Sequence, residues 1–189
     1  MNEGLPLVSI IIPCKNEGIN VVNTINSAIK AKCKYPFEIV IIDDGSIDGC
    51  CDFVNKDEEF SQIRVIKTEG IGLAKAKNLG AVHTKGEYFI FCDAHLFFPD
   101  YWIDALIDPI RSGIADAVNP GIADHLNPAN IGYGYRGWNE NLEPKWNTEV
   151  TKLTPSAQLA GGCFAISKDC FFDIGGFDRG FRVWGREDE

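Results

Sequence analysis

Residues 89–95 join an apolar run to two groups that could bind a metal ion. The apolar residues 89–92 are followed directly by Asp93, Ala94 and His95. A buried strand with this pattern would deliver a carboxylate and an imidazole to its carboxyl end. Such ligands suit a divalent ion such as Mn2+ or Mg2+, for which diphosphate oxygens are natural partners. The alternative is that Asp93 and His95 are ordinary loop residues, and the motif alone leaves both interpretations open.

The preceding sequence predicts the elements that would position this motif. Apolar runs at residues 7–12, 37–42 and 63–66 predict three earlier buried strands. Apolar residues at helical spacing predict helices after the first and third strands, the first of them with Asn20 as its N-cap. Because strands and helices alternate and the strands are continuously apolar, the pattern predicts an α/β fold with a mostly parallel sheet and helices on both faces.

Polar groups follow three of the four predicted strands where each strand ends. Asn16 and Glu17 follow the first, Asp43 and Asp44 the second, and Asp93 with His95 the fourth. Ligands of parallel α/β sheets bind beyond the carboxyl ends of the strands. The three groups therefore predict one binding site at that edge. Lys15, between Cys14 and Asn16, is expected to be solvated.

The segment from residue 120 to 155 has no regular periodicity and is rich in glycine, proline and aromatic residues. Trp138 and Trp146 in this segment could form a carbohydrate-stacking surface. They could equally be aromatic anchors that hold a long loop in place. The sequence leaves both possibilities open.

Composition limits the class of protein. The chain has 189 residues, of which 45% are hydrophobic and 24% charged, and these values are typical of an ordinary globular domain. A net charge of −9 argues against a nucleic-acid partner. The sequence contains no apolar run long enough to span a membrane.

Cysteine usage bears on the cellular compartment. Seven cysteines without a CxxC pair predict no zinc site and favour reduced thiols, hence a cytoplasmic protein or one peripheral to the inner face of the membrane. The acidic ending at residues 187–189 is an unusual natural terminus, so we expect a truncated chain.

Seven motifs in order resemble the family 2 glycosyltransferases of the GT-A fold, a Rossmann-like three-layer sandwich. The resemblance runs from Val8 to Asp188 and covers nearly the whole chain. The motifs comprise residues 8–13 with 16–17, 41–46, 72–80, 93–95, 161–166, 175–178 and 184–188. One GT-A domain is therefore expected over residues 1–189, with a nucleotide-sugar-binding half at 1–98 and an acceptor-binding half at 99–189.

The resemblance implies a metal-dependent glycosyltransferase whose donor is a nucleotide-diphosphosugar, with UDP as the expected nucleotide. Asp93-Ala94-His95 matches the DxD motif of the family, so Asp93 and His95 are the implied ligands of Mn2+ or Mg2+ and Asp93 also belongs to the donor site. The remaining positions that the resemblance assigns to donor binding are Pro13, Asn16, Glu17, Asp44, Lys77, Gly161 and Gly162. Lys77 stands where the family usually has arginine, and it offers a point charge in place of a bidentate fork.

The same resemblance implies roles for the two acids near the chain end. Asp188 is the expected general base, which deprotonates the acceptor as it attacks the anomeric carbon, and Glu187 is expected to orient the acceptor. This arrangement implies inversion of configuration. The acceptor could be a glycan, a lipid carrier, a peptide or a small molecule.

Two alternatives remain beside this hypothesis, and two others lack their motifs. The Asp-x-His variant also occurs in the polypeptide N-acetylgalactosaminyltransferases, which retain configuration and have Glu-Asn where this chain has Glu187-Asp188. A catalytically inactive sugar-nucleotide-binding protein could share the fold. A nucleotidyltransferase would require a glycine-rich basic loop after the first strand, and a dehydrogenase would require GxGxxG; neither is present.

Overall fold

The computed structural model describes residues 4–55, 60, 63–141 and 143–180. Strands and helices alternate through the first part of the chain, as the apolar pattern predicts. In chain order they are β1 Val8–Cys14, α1 Ile19–Lys30, β2 Phe37–Asp43, β3 Ile63–Lys67, α2 Leu73–Val82, β4 Tyr88–Cys92 and α3 Trp102–Arg111. A short 3-10 segment, Asp52–Asn55, lies between β2 and β3.

The second part contains shorter elements. They are β5 Ala117–Val118, β6 Ile122–Ala123, β7 Ile131–Gly132, β8 Tyr135–Trp138, β9 Pro144–Trp146, β10 Cys163–Ser167 and α4 Lys168–Asp173. Strands β6 with β7, and β8 with β9, form separate two-stranded antiparallel sheets. The segment that has no periodicity in sequence therefore contains four short strands.

The main sheet has six strands in the order β3-β2-β1-β4-β10-β5. Strands β1 to β4 pair in parallel, and β10 pairs antiparallel with both β4 and β5. Parallel pairing brings the carboxyl ends of β1, β2 and β4 to the same edge. The predicted fold class, a GT-A-like α/β sandwich with a mostly parallel sheet, is confirmed.

Helices cover both faces of this sheet. Successive residues of a strand face opposite sides. Ile10 and Ile12 of β1 pack in a buried cluster with α1 and α3, whereas Ile11 packs with residues of α2 and α4. A Cβ atom at Gly80 would overlap the side chain of Ile11, so this glycine allows α2 to lie close against β1.

Candidate active site

A cavity of about 240 Å³ lies beyond the carboxyl ends of β1, β2 and β4. Its walls combine three acids, one lysine and one histidine with small and apolar residues. The lining residues are Pro13, Cys14, Lys15, Glu17, Asp44, Leu73, Ala76, Asp93, Ala94 and His95. The structure thus brings together Glu17, Asp44, Asp93 and His95 from the ends of the three strands, whereas Asn16 and Asp43 do not line the cavity.

Asp93 and His95 lie at the end of β4, where the strand stops pairing. The backbone N–H of Asp93 donates to the carbonyl oxygen of Gly162 at 2.9 Å. Nε2 of His95 lies 3.7 Å from Oδ2 of Asp93, and Nδ1 lies 3.3 Å from Oε2 of Glu17. The imidazole therefore lies between two carboxylates, with its side chain 54% exposed at the mouth of the cavity.

The donor chemistry of this group fits a hard or borderline divalent ion. Two ligands bound side by side at about 2.1 Å in octahedral geometry are about 3 Å apart. The 3.7 Å between Nε2 of His95 and Oδ2 of Asp93 is close to that separation and longer than a hydrogen bond. Carboxylate oxygen with imidazole nitrogen suits Mn2+ or Mg2+ better than a soft metal. Asp93 and His95 are therefore the residues that would hold such an ion.

Asp44 forms part of the wall through buried hydrogen bonds. Its Oδ1 accepts from the hydroxyl of Thr68 at 2.5 Å and from the backbone N–H of Ile71 at 2.6 Å, and its Oδ2 accepts from the N–H of Gly72 at 2.9 Å. Burial alone would raise the pKa of Asp44. The three hydrogen bonds and the charge of Lys15 outweigh burial and hold this pKa below its ordinary value.

Asn16 connects the β1 loop to the β2 loop. Its backbone has φ of 56°, a left-handed conformation that asparagine tolerates better than most residues. Its N–H donates to the hydroxyl of Ser46 at 3.0 Å, and its side-chain Oδ1 accepts from the N–H of Ile47 at 2.8 Å. Asn16 therefore holds two neighbouring strand ends together, and its predicted contact with the donor stays a prediction.

The glycines before β10 lie beside β4. A Cβ atom on Gly162 would be 3.3 Å from Oδ2 of Asp93 and 3.3 Å from Cδ1 of Ile122. Glycine at this position therefore leaves room for the Asp93 carboxylate. Gly161 precedes it in the same turn.

Lys77 lies in α2 and is 1% exposed, with Nζ 4.8 Å from the ring centroid of Phe177. Among the described residues it does not belong to the cavity lining, and its predicted approach to the nucleotide stays a prediction. Glu187 and Asp188, the predicted catalytic acids, lie outside the described residues.

Two features of this region were not predicted from sequence. Lys15 is exposed, as expected, but it lines the cavity and places a positive charge close to Asp44. Cys14, Cys50 and Cys51 meet beneath the cavity, with their sulfur atoms within 4.8 Å of one another. Sequence spacing gives no sign of this cluster, because it depends on a turn of the chain between β2 and β3.

A second cavity of about 710 Å³ lies along residues 114–119 and 150–159, away from the strand ends. Within the described part of the chain, none of the predicted site residues lines it. Trp146 at the end of β9 does not line this cavity either, and its ring centroid lies 4.4 Å from that of Tyr135. This contact is that of a loop anchor, although 42% of Trp146 is exposed. We place the candidate active site in the smaller cavity because the groups capable of chemistry converge there.

Comparison with known proteins identifies the family. The model of the family described as Glycosyl transferase family 2 matches residues 9–172. N-acetylgalactosaminyltransferase 6 of Drosophila melanogaster is 30% identical over 97% of this chain and 30% of its own length. Human N-acetylgalactosaminyltransferase 7 is 28% identical over 98% of this chain and 32% of its own length. The chain belongs to glycosyl transferase family 2, and it spans about a third of the length of these relatives.

Solved structures agree with this assignment. A crystal structure of GalNAc-T7 with UDP, GalNAc and Mn2+ superposes with a TM-score of 0.82 at 28% identity, covering 98% of this chain and 39% of that one. A mannosyltransferase from Pyrobaculum calidifontis in complex with GDP-Man and Mn2+ superposes with a TM-score of 0.70 at 20% identity, covering 99% of this chain and 51% of that one. The second likeness shows the shared fold alone. Separately, no helix among the described residues has the length and apolar character of a membrane span.

Proposed function

We propose that this chain is the catalytic domain of a metal-dependent glycosyltransferase that moves a sugar from a UDP-sugar to an acceptor. The observation that carries the proposal is the convergence of Asp93, His95 and Glu17 on one cavity at the strand ends of a family 2 chain. The complex of GalNAc-T7 with UDP and Mn2+, at 28% identity, supports UDP over other nucleotides.

The roles of the residues follow from their positions around this cavity. A bound Mn2+ would supply positive charge against the diphosphate leaving group. Asp93 and His95 would hold that ion, and Lys15 adds a cationic side chain on the same wall. Asp44 keeps the 68–72 turn closed against the cavity. In this proposal residues 1–98 bind the nucleotide-sugar, and residues 99–189 contribute to the acceptor side.

For the transfer step we infer a direct displacement. The acceptor hydroxyl gives its proton to the carboxylate of Asp188 while its oxygen bonds to the anomeric carbon. The bond from that carbon to the diphosphate oxygen breaks, and the nucleoside diphosphate leaves with the electron pair. Glu187 orients the acceptor. Attack from the opposite face inverts the configuration.

A retaining enzyme is the second candidate. It is favoured by the relatives described above, which are N-acetylgalactosaminyltransferases. The name of another relative, polypeptide N-acetylgalactosaminyltransferase 8 of Drosophila melanogaster, also makes a peptide hydroxyl the first acceptor to test. The anomeric configuration of the product, measured by proton NMR before mutarotation, separates inversion from retention.

Calorimetry with UDP, GDP and dTDP, each with Mn2+ and with EDTA, tests the donor site. We expect UDP to bind with Mn2+ and to lose most of its affinity in EDTA. Equal binding in EDTA would contradict the metal role of Asp93 and His95. Release of UDP from UDP-sugars in a turnover assay then distinguishes an enzyme from an inactive nucleotide-sugar-binding protein, which would bind without turnover.

A further inference from the structure

Three cysteines from two parts of the chain meet behind the candidate active site. Cys14 ends β1, and Cys50 and Cys51 lie in the turn before the 3-10 segment. Sγ of Cys51 lies 3.3 Å from Sγ of Cys14 and 3.8 Å from Sγ of Cys50. All three residues are buried, with exposures of 4%, 6% and 2% for Cys14, Cys50 and Cys51. Burial of three thiols around one point is a specific arrangement, because a packed core needs no such convergence.

The spacing of the sulfur atoms matches one face of a tetrahedral metal site. Zinc–sulfur bonds of about 2.3 Å place two sulfur ligands of a tetrahedron about 3.8 Å apart. The three sulfur atoms, all within 4.8 Å of one another, have that scale of separation. A disulfide between Cys14 and Cys51 would use two of the thiols and leave the third unexplained. A metal ion uses all three.

The surroundings lower the pKa of one of the three thiols, Cys51, and raise the pKa of the other two, with burial as the main cause at Cys50. The hydrogen bond between the thiols of Cys14 and Cys51 lowers the pKa of Cys51, and burial and the charge of Asp43 oppose this lowering only in part. The same hydrogen bond, together with burial, raises the pKa of Cys14. A metal ion that binds all three sulfur atoms as thiolates would displace the protons of these thiols.

We infer that Cys14, Cys50 and Cys51 form a site for one thiophilic metal ion. Zn2+ is the expected ion, with water as its fourth ligand. Three thiolates select Zn2+ or Cu+ over Mn2+ and Mg2+. This site is therefore distinct in chemistry from the oxygen and nitrogen group at Asp93 and His95.

Occupancy of this site would act on the cavity wall. Cys14 lines the cavity, and the thiol of Cys50 donates to the hydroxyl of Ser46 at 3.4 Å. That hydroxyl in turn accepts from the N–H of Asn16. A metal bound to the three sulfurs would tie the end of β1 to the 46–51 loop, on which the position of Asn16 depends.

The test is titration of the reduced, metal-free chain with Co2+, which reports thiolate ligands through a sulfur-to-cobalt charge-transfer absorption. We expect this band to saturate at one ion per chain and to disappear when Zn2+ is added. In Cys51→Ser and, separately, Cys50→Ser, zinc affinity should fall by more than the roughly 10- to 100-fold loss that follows removal of an outer-shell partner. Circular dichroism confirms that each variant is folded.

Two controls isolate the cluster. Cys163→Ser changes a buried thiol of β10 that pairs with Cys92 of β4 and not with the three cluster thiols, so it should leave the band unchanged. Asp93→Asn should also leave it unchanged, since that site offers no sulfur. A band that is absent, or that persists in both cluster variants, would overturn the inference. So would formation of a Cys14–Cys51 disulfide that Zn2+ does not prevent during exposure to oxidised glutathione.

Discussion

Strands β2 and β4 flank β1, and an aspartate follows each of them at the same edge of the sheet. The carboxylates of these two residues, Asp44 and Asp93, have different surroundings. Asp44, just after β2, is 7% exposed and accepts three hydrogen bonds from the 68–72 segment. Asp93, just after β4, lies in the cavity wall with its side chain 36% exposed and His95 3.7 Å away. Aspartate therefore occurs at similar positions of the sheet in two different environments, one closed by hydrogen bonds and one open to the cavity.

The difference originates in what faces each strand end. Beside β2 the chain returns through β3 and turns at Gly70 and Gly72, both with positive φ, so that backbone N–H groups point at Asp44. Beside β4 stands Gly162, which brings no side chain toward Asp93. Asp44 therefore builds the wall of the site, and we propose that Asp93 presents oxygen to a ligand.

Asp44→Ala should have the largest effect on stability. It leaves the Thr68 hydroxyl and the N–H groups of Ile71 and Gly72 without their acceptor, at a cost of about 3 kcal/mol in the free energy of unfolding. Urea denaturation measures this loss. Asp44→Asn, which keeps one oxygen acceptor, should lose about half as much. If Asp44→Ala lost less than about 1 kcal/mol, the carboxylate would not be holding the turn.

Asp93→Ala should show the reverse profile. Loss of one metal ligand should weaken UDP binding in Mn2+ at least tenfold, or about 1.4 kcal/mol. The free energy of unfolding should change by less than about 1 kcal/mol, as is usual for partly exposed positions. Calorimetry and urea denaturation on the same sample measure both quantities.

The matched control for this variant is Asp100→Ala. Asp100 is an exposed acid that pairs with Lys32 outside the cavity, so UDP affinity should be unchanged. If Asp93→Ala kept metal-dependent binding while losing stability like Asp44→Ala, the distinction between the two acids would fail.

Much of the structure of residues 1–98 could be predicted from sequence because its strands are buried on both faces. Continuous apolar runs located β1 to β4, and parallel pairing then required their polar ends to meet. Local details depend on contacts distant in sequence. The prediction of Asn20 as the N-cap of α1 was wrong, because the helix begins at Ile19 and Gly18 is its N-cap. The N–H of Gly18 donates to the carboxylate of Asp48 at 2.8 Å.

The short strands β6 to β9 could not be predicted, since two- to four-residue strands carry too few side chains for a period to be visible. The different surroundings of Asp44 and Asp93 were also beyond the sequence. They depend on which backbone groups point at each carboxylate. The turn at 68–72 determines this for Asp44, and the close approach of Gly162 determines it for Asp93.

The acid sensitivity of the fold should reflect Asp44. Because the folded-state pKa of Asp44 lies below its ordinary value, this group stabilises the fold at pH above its unfolded pKa, near 4. That stabilisation is lost as pH falls through the lower, folded-state pKa. Exposed acids such as Asp48 and Asp100 also have lowered pKa values, so wild type alone does not isolate Asp44.

The isolating comparison is wild type against Asp44→Asn in urea denaturation from pH 6 down to pH 2. The difference in their free energies of unfolding should shrink as the pH falls below about 4, because protonated aspartate loses the advantage over asparagine. The same pH series on Asp93→Asn serves as the reference. A wild-type advantage over Asp44→Asn that stayed constant to pH 2 would contradict the origin assigned to it.

Gly162→Ala should give the smallest effect and the most local one. The added methyl carbon would lie 3.3 Å from Oδ2 of Asp93 and from Cδ1 of Ile122, close enough to require a shift of a few tenths of an ångström. Because metal ligands tolerate little displacement, UDP affinity in Mn2+ should fall about two- to fivefold, while affinity in EDTA stays unchanged. Calorimetry with both buffers measures the pair of values. An equal loss in both buffers would mean that Gly162 acts on the shape of the cavity and not through Asp93. The turn before β10 would then belong to the wall of the cavity.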